Sequence, residues 1–127
     1  MIERITPPGV PVPRGPYSPA VRAGDFIFVS GQGPIDVETN QFTFGTIEHE
    51  VTVVLDNVKR ILEGCGASMA DVIKVNVYLR DGGDFQAMNA VYATFFAEAK
   101  PARTTVECKF ANKEMKVEID AVAYKPK

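Results

Sequence analysis

From Thr46 onward the hydrophobic period of this chain changes, and that change fixes what it can fold into. Val51, Val54, Leu55, Val58, Ile61 and Leu62 recur at three and four positions, the stripe of an amphipathic helix. Thr46 is the expected N-cap, Glu48 and Glu50 suit the first turn, and Gly64 or Gly66 stops the helix. Upstream, residues 20–22 and 26–29 are apolar runs broken by Ala23-Gly24-Asp25, which predicts a hairpin. Downstream, Ser68 followed by Asp71 predicts a short capped turn. Residues 73–79 then alternate, with Ile73, Val75, Val77 and Leu79 facing one way and Lys74, Asn76 and Tyr78 the other. Asp84 is the expected cap of a second helix whose stripe is Phe85, Met88, Val91, Tyr92 and Phe95, ended by Lys100-Pro101.

Two more strands complete the pattern. In residues 103–110 alternation assigns Thr104, Val106, Cys108 and Phe110 to an apolar side and Arg103, Thr105, Glu107 and Lys109 to a polar one. In residues 115–124 the apolar side is Met115, Val117, Ile119, Ala121 and Ala123, and Lys116, Glu118, Asp120, Val122 and Tyr124 stand opposite. The order strand, strand, helix, strand, helix, strand, strand is an α+β sheet with two helices on one face. Its other face carries Tyr78, Val122 and Tyr124 among charges, which points to burial by another subunit.

Six prolines lie from Pro7 to Pro19, so that stretch is neither a central strand nor a helix interior but either a loose arm or a rigid loop laid against the body. Residues 1–14 read as a Pro-rich N-terminal arm of a single domain spanning 1–127, and Pro16 and Pro19 hold Tyr17 between two stiff points. Ser30-Gly31-Gln32-Gly33 interrupts a strand end, which predicts a bulge or a close backbone approach.

At 13.9 kDa the chain is enough for one domain, with an expected folded surface of roughly 6,700 Å². Hydrophobic residues make up 46% and charged residues 24%, which excludes disorder as the main state. The net charge of -2 and the absence of a basic run disfavour a nucleic-acid partner. Cys65 and Cys108 are 43 positions apart, and His49 is the only histidine, so neither a disulfide scaffold nor a metal site is expected. The apolar runs are far shorter than the ~20 residues of a membrane span. The opening Met1-Ile2-Glu3-Arg4 lacks a signal-peptide block, so a cytoplasmic, reducing setting is expected.

Two side chains stand out for chemistry. Arg103 enters a strand just after Pro101-Ala102, and its planar fork matches a carboxylate bidentately, although a surface ion pair would look the same in sequence. Glu118 shares its side with Asp120, which would raise its pKa, and with Lys116, which would lower it. Cys108 reads as a small core residue and His49 as a solvated cap-region residue. No phosphate loop or dinucleotide fingerprint is present.

Five blocks in order resemble one family. Gly15-Pro16-Tyr17-Ser18-Pro19-Ala20, Phe28-Val29-Ser30-Gly31-Gln32, Asn89-Ala90-Val91-Tyr92 with Phe95-Phe96, Pro101-Ala102-Arg103, and Val117-Glu118-Ile119 are similar to the RidA/YjgF family of reactive-intermediate deaminases. The resemblance implies a chorismate-mutase-like subunit, a homotrimer around a central barrel, and clefts between neighbouring subunits. It also implies cofactor-free hydrolysis of 2-enamino or 2-imino acids to 2-oxo acids and ammonia. By the same resemblance Arg103 clamps the substrate carboxylate, Glu118 orients or activates water, and Tyr17, Ser30, Gly31 and Asn89 line the cleft. Thr105 stands where the archetypal deaminases have a cysteine, Ala111-Asn112-Lys113 replaces their usual Leu-Pro pair, and the connection at residues 97–100 is shorter. The alternatives are a non-catalytic module binding a small carboxylate and, after the older name of some relatives, an endoribonuclease.

Overall fold

The computed structural model describes all 127 residues. Strands β1 (Ile2–Ile5), β2 (Ala20–Ala23) and β3 (Phe26–Gln32) form an antiparallel edge, followed by the small pair β4 (Ile35–Asp36) and β5 (Gln41–Phe42). Helix α1 (Ile47–Gly64), strand β6 (Val72–Leu79), helix α2 (Phe85–Phe95), and strands β7 (Ala102–Glu107) and β8 (Val117–Tyr124) complete the chain. The six-stranded sheet runs β1-β2-β3-β8-β6-β7, and only β6 and β7 pair in parallel. A parallel pair needs a crossover, and α2 supplies it.

One face of this sheet makes the core. Ile27 and Val29 of β3, Val75, Val77 and Leu79 of β6, and Val117, Ile119, Ala121 and Ala123 of β8 are buried against the predicted stripe of α1 and against Met88 and Tyr92 of α2. Each such fully buried branched side chain contributes about 1.5–3 kcal/mol, so packing outweighs capping at about 1 kcal/mol per cap. The caps still set the helix ends. Thr46 Oγ accepts the His49 N–H at 3.1 Å. Gly66, at φ +83°, closes the other end: its N–H reaches the Glu63 carbonyl, and the Ala67 N–H reaches Leu62. The exposed surface, 6822 Å², agrees with the expectation from mass. No helix is long and apolar enough to cross a membrane.

The predicted hairpin turns at Gly24-Asp25, with Gly24 at φ +61°. The Ser68–Asp71 turn is also present, the Ser68 N–H donating to Asp71 Oδ2 at 2.9 Å. Other expectations need correction. Within residues 1–14, Ile2–Ile5 forms an edge strand that the sequence pattern did not predict, and Pro7 and Pro11 are buried against the body. An added Cβ at Gly64 would collide with the Pro7 ring, so that glycine is the seat for the arm. Asp84 makes no side-chain cap bond; Asp81, one turn earlier, accepts the Gly83 N–H at 2.8 Å instead. The register of β6 against β8 shifts between Val72 and Lys74, so Val72 joins the core and Ile73 is exposed.

The strand at residues 103–110 is the largest revision. It ends at Glu107, and Cys108 is half-buried outside the core. Its faces are also reversed, because parallel pairing aligns Arg103 with Val75 and Thr105 with Val77, two core-facing residues of β6. β7 lies at the sheet edge, so its helix-side residues are polar and only partly covered, while Val106 on the other face is exposed. That other face also exposes Phe26, Phe28 and Tyr124, the apolar surface expected from alternation.

Candidate active site

The six residues singled out from sequence fall into two groups on opposite faces of the sheet. Glu118 pairs with Tyr78 on the outer face, whereas Arg103 aligns with Val75 on the helix face.

The first group is complete in one pocket. Tyr17, Ser30, Gly31 and Glu118 line a depression of about 300 Å³. The predicted interruption of β3 is a bulge between Val29 and Gln32, and it brings the Gly31 backbone onto the Glu118 carboxylate. A Cβ at Gly31 would lie 2.9 Å from Glu118 Cδ and closer still to an oxygen, so only glycine leaves the carboxylate where it is. Ser30 Oγ donates to the Ser18 carbonyl at 2.6 Å and its N–H donates to Pro19, which ties the bulge to the proline-rich loop. Tyr17 Oη accepts the Arg14 N–H at 3.1 Å, and its ring is 47% exposed.

Burial raises the Glu118 pKa above the ordinary carboxylate value, and the nearby Asp120 adds to it. The sign left open by the sequence is therefore upward. Lys116 does not oppose it because its ammonium pairs with the buried Glu50 at 3.4 Å. Asp120 is itself held by Asn76 Nδ2 at 3.0 Å and by the Tyr78 hydroxyl at 2.9 Å. That bond to Asp120, more than burial, raises the Tyr78 phenol.

The second group is a cation without a counter-ion. Arg103 lies 4.7 Å from the Tyr92 ring centre and 5.6 Å from that of Phe85, and its Nη1 is 4.0 Å from Met88 Sδ. The chain's three ion pairs are Lys116–Glu50, Lys125–Asp71 and Lys127–Glu3, so the surface ion-pair reading of Arg103 is set aside. Asn89, Tyr92, Lys100, Pro101 and Arg103 line a groove of about 540 Å³. Helix α2 ends at Phe95, before the Lys100-Pro101 pair expected to stop it, and Lys100, at φ +41°, stands at the entry to β7.

Asn89 Oδ1 and Thr105 Oγ1 are buried without a hydrogen-bond partner, and the buried Tyr92 hydroxyl has at most Arg103 beside it. An unpaired buried polar group costs about 1–3 kcal/mol, so each is a group that a polar partner would stabilise. Burial pushes the Tyr92 phenol up, and Arg103 only partly opposes it. Tyr92, which lines the groove, was not among the residues singled out from sequence. Tyr92 reads as core from its helical stripe; the available signal was its position three residues after Asn89, on one helix face. His49 Nε2 lies 2.9 Å from Thr43 Oγ1, and no group of three or more His, Cys, Asp or Glu residues is placed to hold a metal.

Comparison with known proteins identifies the family. The family profile described as endoribonuclease L-PSP matches residues 9–125. A RutC family protein of Pyrococcus horikoshii is 50% identical over 125 residues, covering 98% of this chain and 99% of that protein. The 2-iminobutanoate/2-iminopropanoate deaminase of Dermatophagoides farinae is 41% identical over 118 residues, covering 93% of this chain and 92% of that protein. The structure of E. coli TdcF with bound serine superposes at a TM-score of 0.85 with 34% identity, covering 92% of this chain and 94% of that one. On the match of fold, length and sequence together, the chain belongs to the RidA/YjgF family, the group that also bears the name endoribonuclease L-PSP.

Proposed function

We propose that this protein hydrolyses short-lived 2-enamino and 2-imino acids to 2-oxo acids and ammonia, in clefts formed between the copies of a homotrimer. The observation that carries the reading is Arg103, a partly buried guanidinium flanked by aromatic rings and orphaned polar atoms, with no carboxylate of its own chain. A substrate carboxylate would complete it bidentately.

Glu118 supplies the proton chemistry. An enamine first takes a proton at its terminal carbon to become the imine, and the Glu118 carboxyl, in the pocket with Tyr17, Ser30 and Gly31, is the group that gives it. In the hydrolytic step a water oxygen bonds to the imine carbon as the water's proton passes to the Glu118 carboxylate. Glu118 then passes that proton to the nitrogen, and as the carbon–nitrogen bond breaks and ammonia leaves, the hydroxyl proton returns to Glu118 and the carbon–oxygen double bond of the 2-oxo acid forms. Tyr17, Ser30 and Gly31 shape the water side of the cleft and Asn89 the anion side. Orientation accounts for most of the acceleration, since the imine is already electrophilic.

Assembly follows from the same reading. Glu118 and Arg103 cannot surround one small molecule from opposite faces of a single sheet, so the cleft takes Glu118 from one copy and Arg103 from the next. Exposed Phe26, Phe28, Val106 and Tyr124 supply the apolar surface that sheets closing into a central barrel would cover. Sedimentation equilibrium is expected to give three times 13.9 kDa, about 42 kDa. The activity test generates 2-aminoacrylate and 2-aminocrotonate in situ and follows 2-oxo acid formation. Arg103→Ala is expected to remove most of the acceleration, and Glu118→Ala to slow the water step by about 10²–10⁴. Wild-type rates in both variants would reject the assigned site.

A further inference from the structure

We propose that Arg14 is a specificity-determining residue that receives a second, distal carboxylate, so that the preferred substrates are imino and enamino dicarboxylic acids. This rests on the deaminase reading and adds the class of substrate to it. The Glu118 depression continues into a second pocket of about 220 Å³ that shares Tyr17, Gly31 and Glu118 with it. At about 30 Å³ per liquid water this is room for roughly seven waters, more than a methyl or ethyl side chain fills. Its walls include Pro11, Val12, Phe42 and Met115, which suit a methylene chain, and its cation is Arg14.

Arg14 is exposed, and two contacts orient its guanidinium. It lies 4.7 Å from the Phe42 ring centre, and Nη2 donates to the Asn40 carbonyl. Asn40 sits at φ +56°, and its Oδ1 accepts the Val12 N–H at 3.0 Å, so one turn residue anchors both the arginine and the loop that carries it. The Arg14 N–H is bound to the Tyr17 hydroxyl at 3.1 Å, which couples this anchor to the Glu118 pocket. Only one of the five guanidinium donors has a partner in the chain, and no carboxylate pairs with it. An oriented arginine with unused donors in the lining of a pocket with apolar walls can take a carboxylate bidentately.

The test compares 2-iminoglutarate with 2-iminobutanoate, each generated from its amino acid by an amino-acid oxidase, by the kcat/KM for 2-oxo acid formation. Wild type is expected to favour the dicarboxylate. Arg14→Leu is expected to lower the ratio of the two kcat/KM values by about tenfold or more, and Arg14→Lys to restore part of it. A wild-type ratio at or below one, or an equal loss on both substrates in Arg14→Leu, overturns the proposal. If wild type accelerates neither substrate, the deaminase reading fails separately. Calorimetry with 2-oxoglutarate and 2-oxobutanoate then decides: tighter 2-oxoglutarate binding that Arg14→Leu abolishes supports the role of Arg14, and equal binding overturns it.

Discussion

Two inactive variants of this protein are expected to restore activity to each other. Arg103 and Glu118 project from opposite faces of one sheet, as their alignment with Val75 and Tyr78 requires. If each cleft takes its arginine from one copy and its glutamate from the next, Arg103→Ala and Glu118→Ala each disable every cleft of their own trimers. In a randomly mixed trimer a cleft is intact when its arginine comes from the Glu118→Ala copy and its glutamate from the Arg103→Ala copy. Each choice has even odds in an equal mixture, so about a quarter of all clefts recover both groups. The assay unfolds the two variants together, refolds them, and confirms mixing with two affinity tags on the subunits. Imine hydrolysis per cleft should then approach one quarter of wild type, against nearly none in either parent. Mixed trimers shown by both tags but no more active than the parents would refute a site shared between copies.

Gly31→Ala should cost little stability and most of the activity, because the added methyl displaces the flexible end of Glu118 rather than backbone; thermal unfolding and the imine assay separate the two effects. Glu50→Ala should destabilise the fold by about 2–4 kcal/mol in urea titration, since the fully buried carboxylate accepts the N–H groups of Gly45 and Lys116 and both would be left unpaired. Glu118 has a pKa raised by burial in the single chain, and an arginine arriving from a neighbouring copy would lower it, so the assembled state binds this proton more weakly. Assembly should therefore strengthen as pH rises toward that raised pKa and level off above it; sedimentation should show a steeper pH dependence in wild type than in Glu118→Gln, and identical profiles would rule the coupling out.

How much of this was legible in the sequence depended on whether local pattern or long-range pairing set the outcome. The stripe of α1 and the alternation of β8 place their residues as expected because each element has one face on the core over its whole length. At β7 the same rule gave the wrong face. The strand is at the edge, its apolar Val106 faces away from the helices, and its parallel register with β6 is fixed by the length of the crossover through α2. Alternation is blind to that register. Tyr92 was hidden for a related reason: its ring packs with Phe96 at 4.7 Å like any core aromatic, and only its place beside Arg103 in the groove sets it apart. Gly31 was flagged as a close approach, but what approaches it lies 87 positions along the chain.

The charges of the site make sense only when the two halves are considered as incomplete. Within one chain Glu118 is partly buried beside a second carboxylate, with no cation to pair it, and Arg103 is partly buried against rings and a thioether, with no anion. Removing a charge from water without a partner is costly, so neither arrangement serves the stability of an isolated subunit. Structural charges elsewhere in this protein are treated differently: buried Glu50 has two backbone donors and a lysine, and buried Arg22 donates to the carbonyls of Lys125 and Gly24. A fold that satisfies those groups with several bonds each, and leaves Arg103 and Glu118 open, has kept its unpaired charges where a substrate and a neighbouring copy would meet them. The sheet edge explains why this is tolerable, since β7 leaves Arg103 in contact with solvent until that encounter.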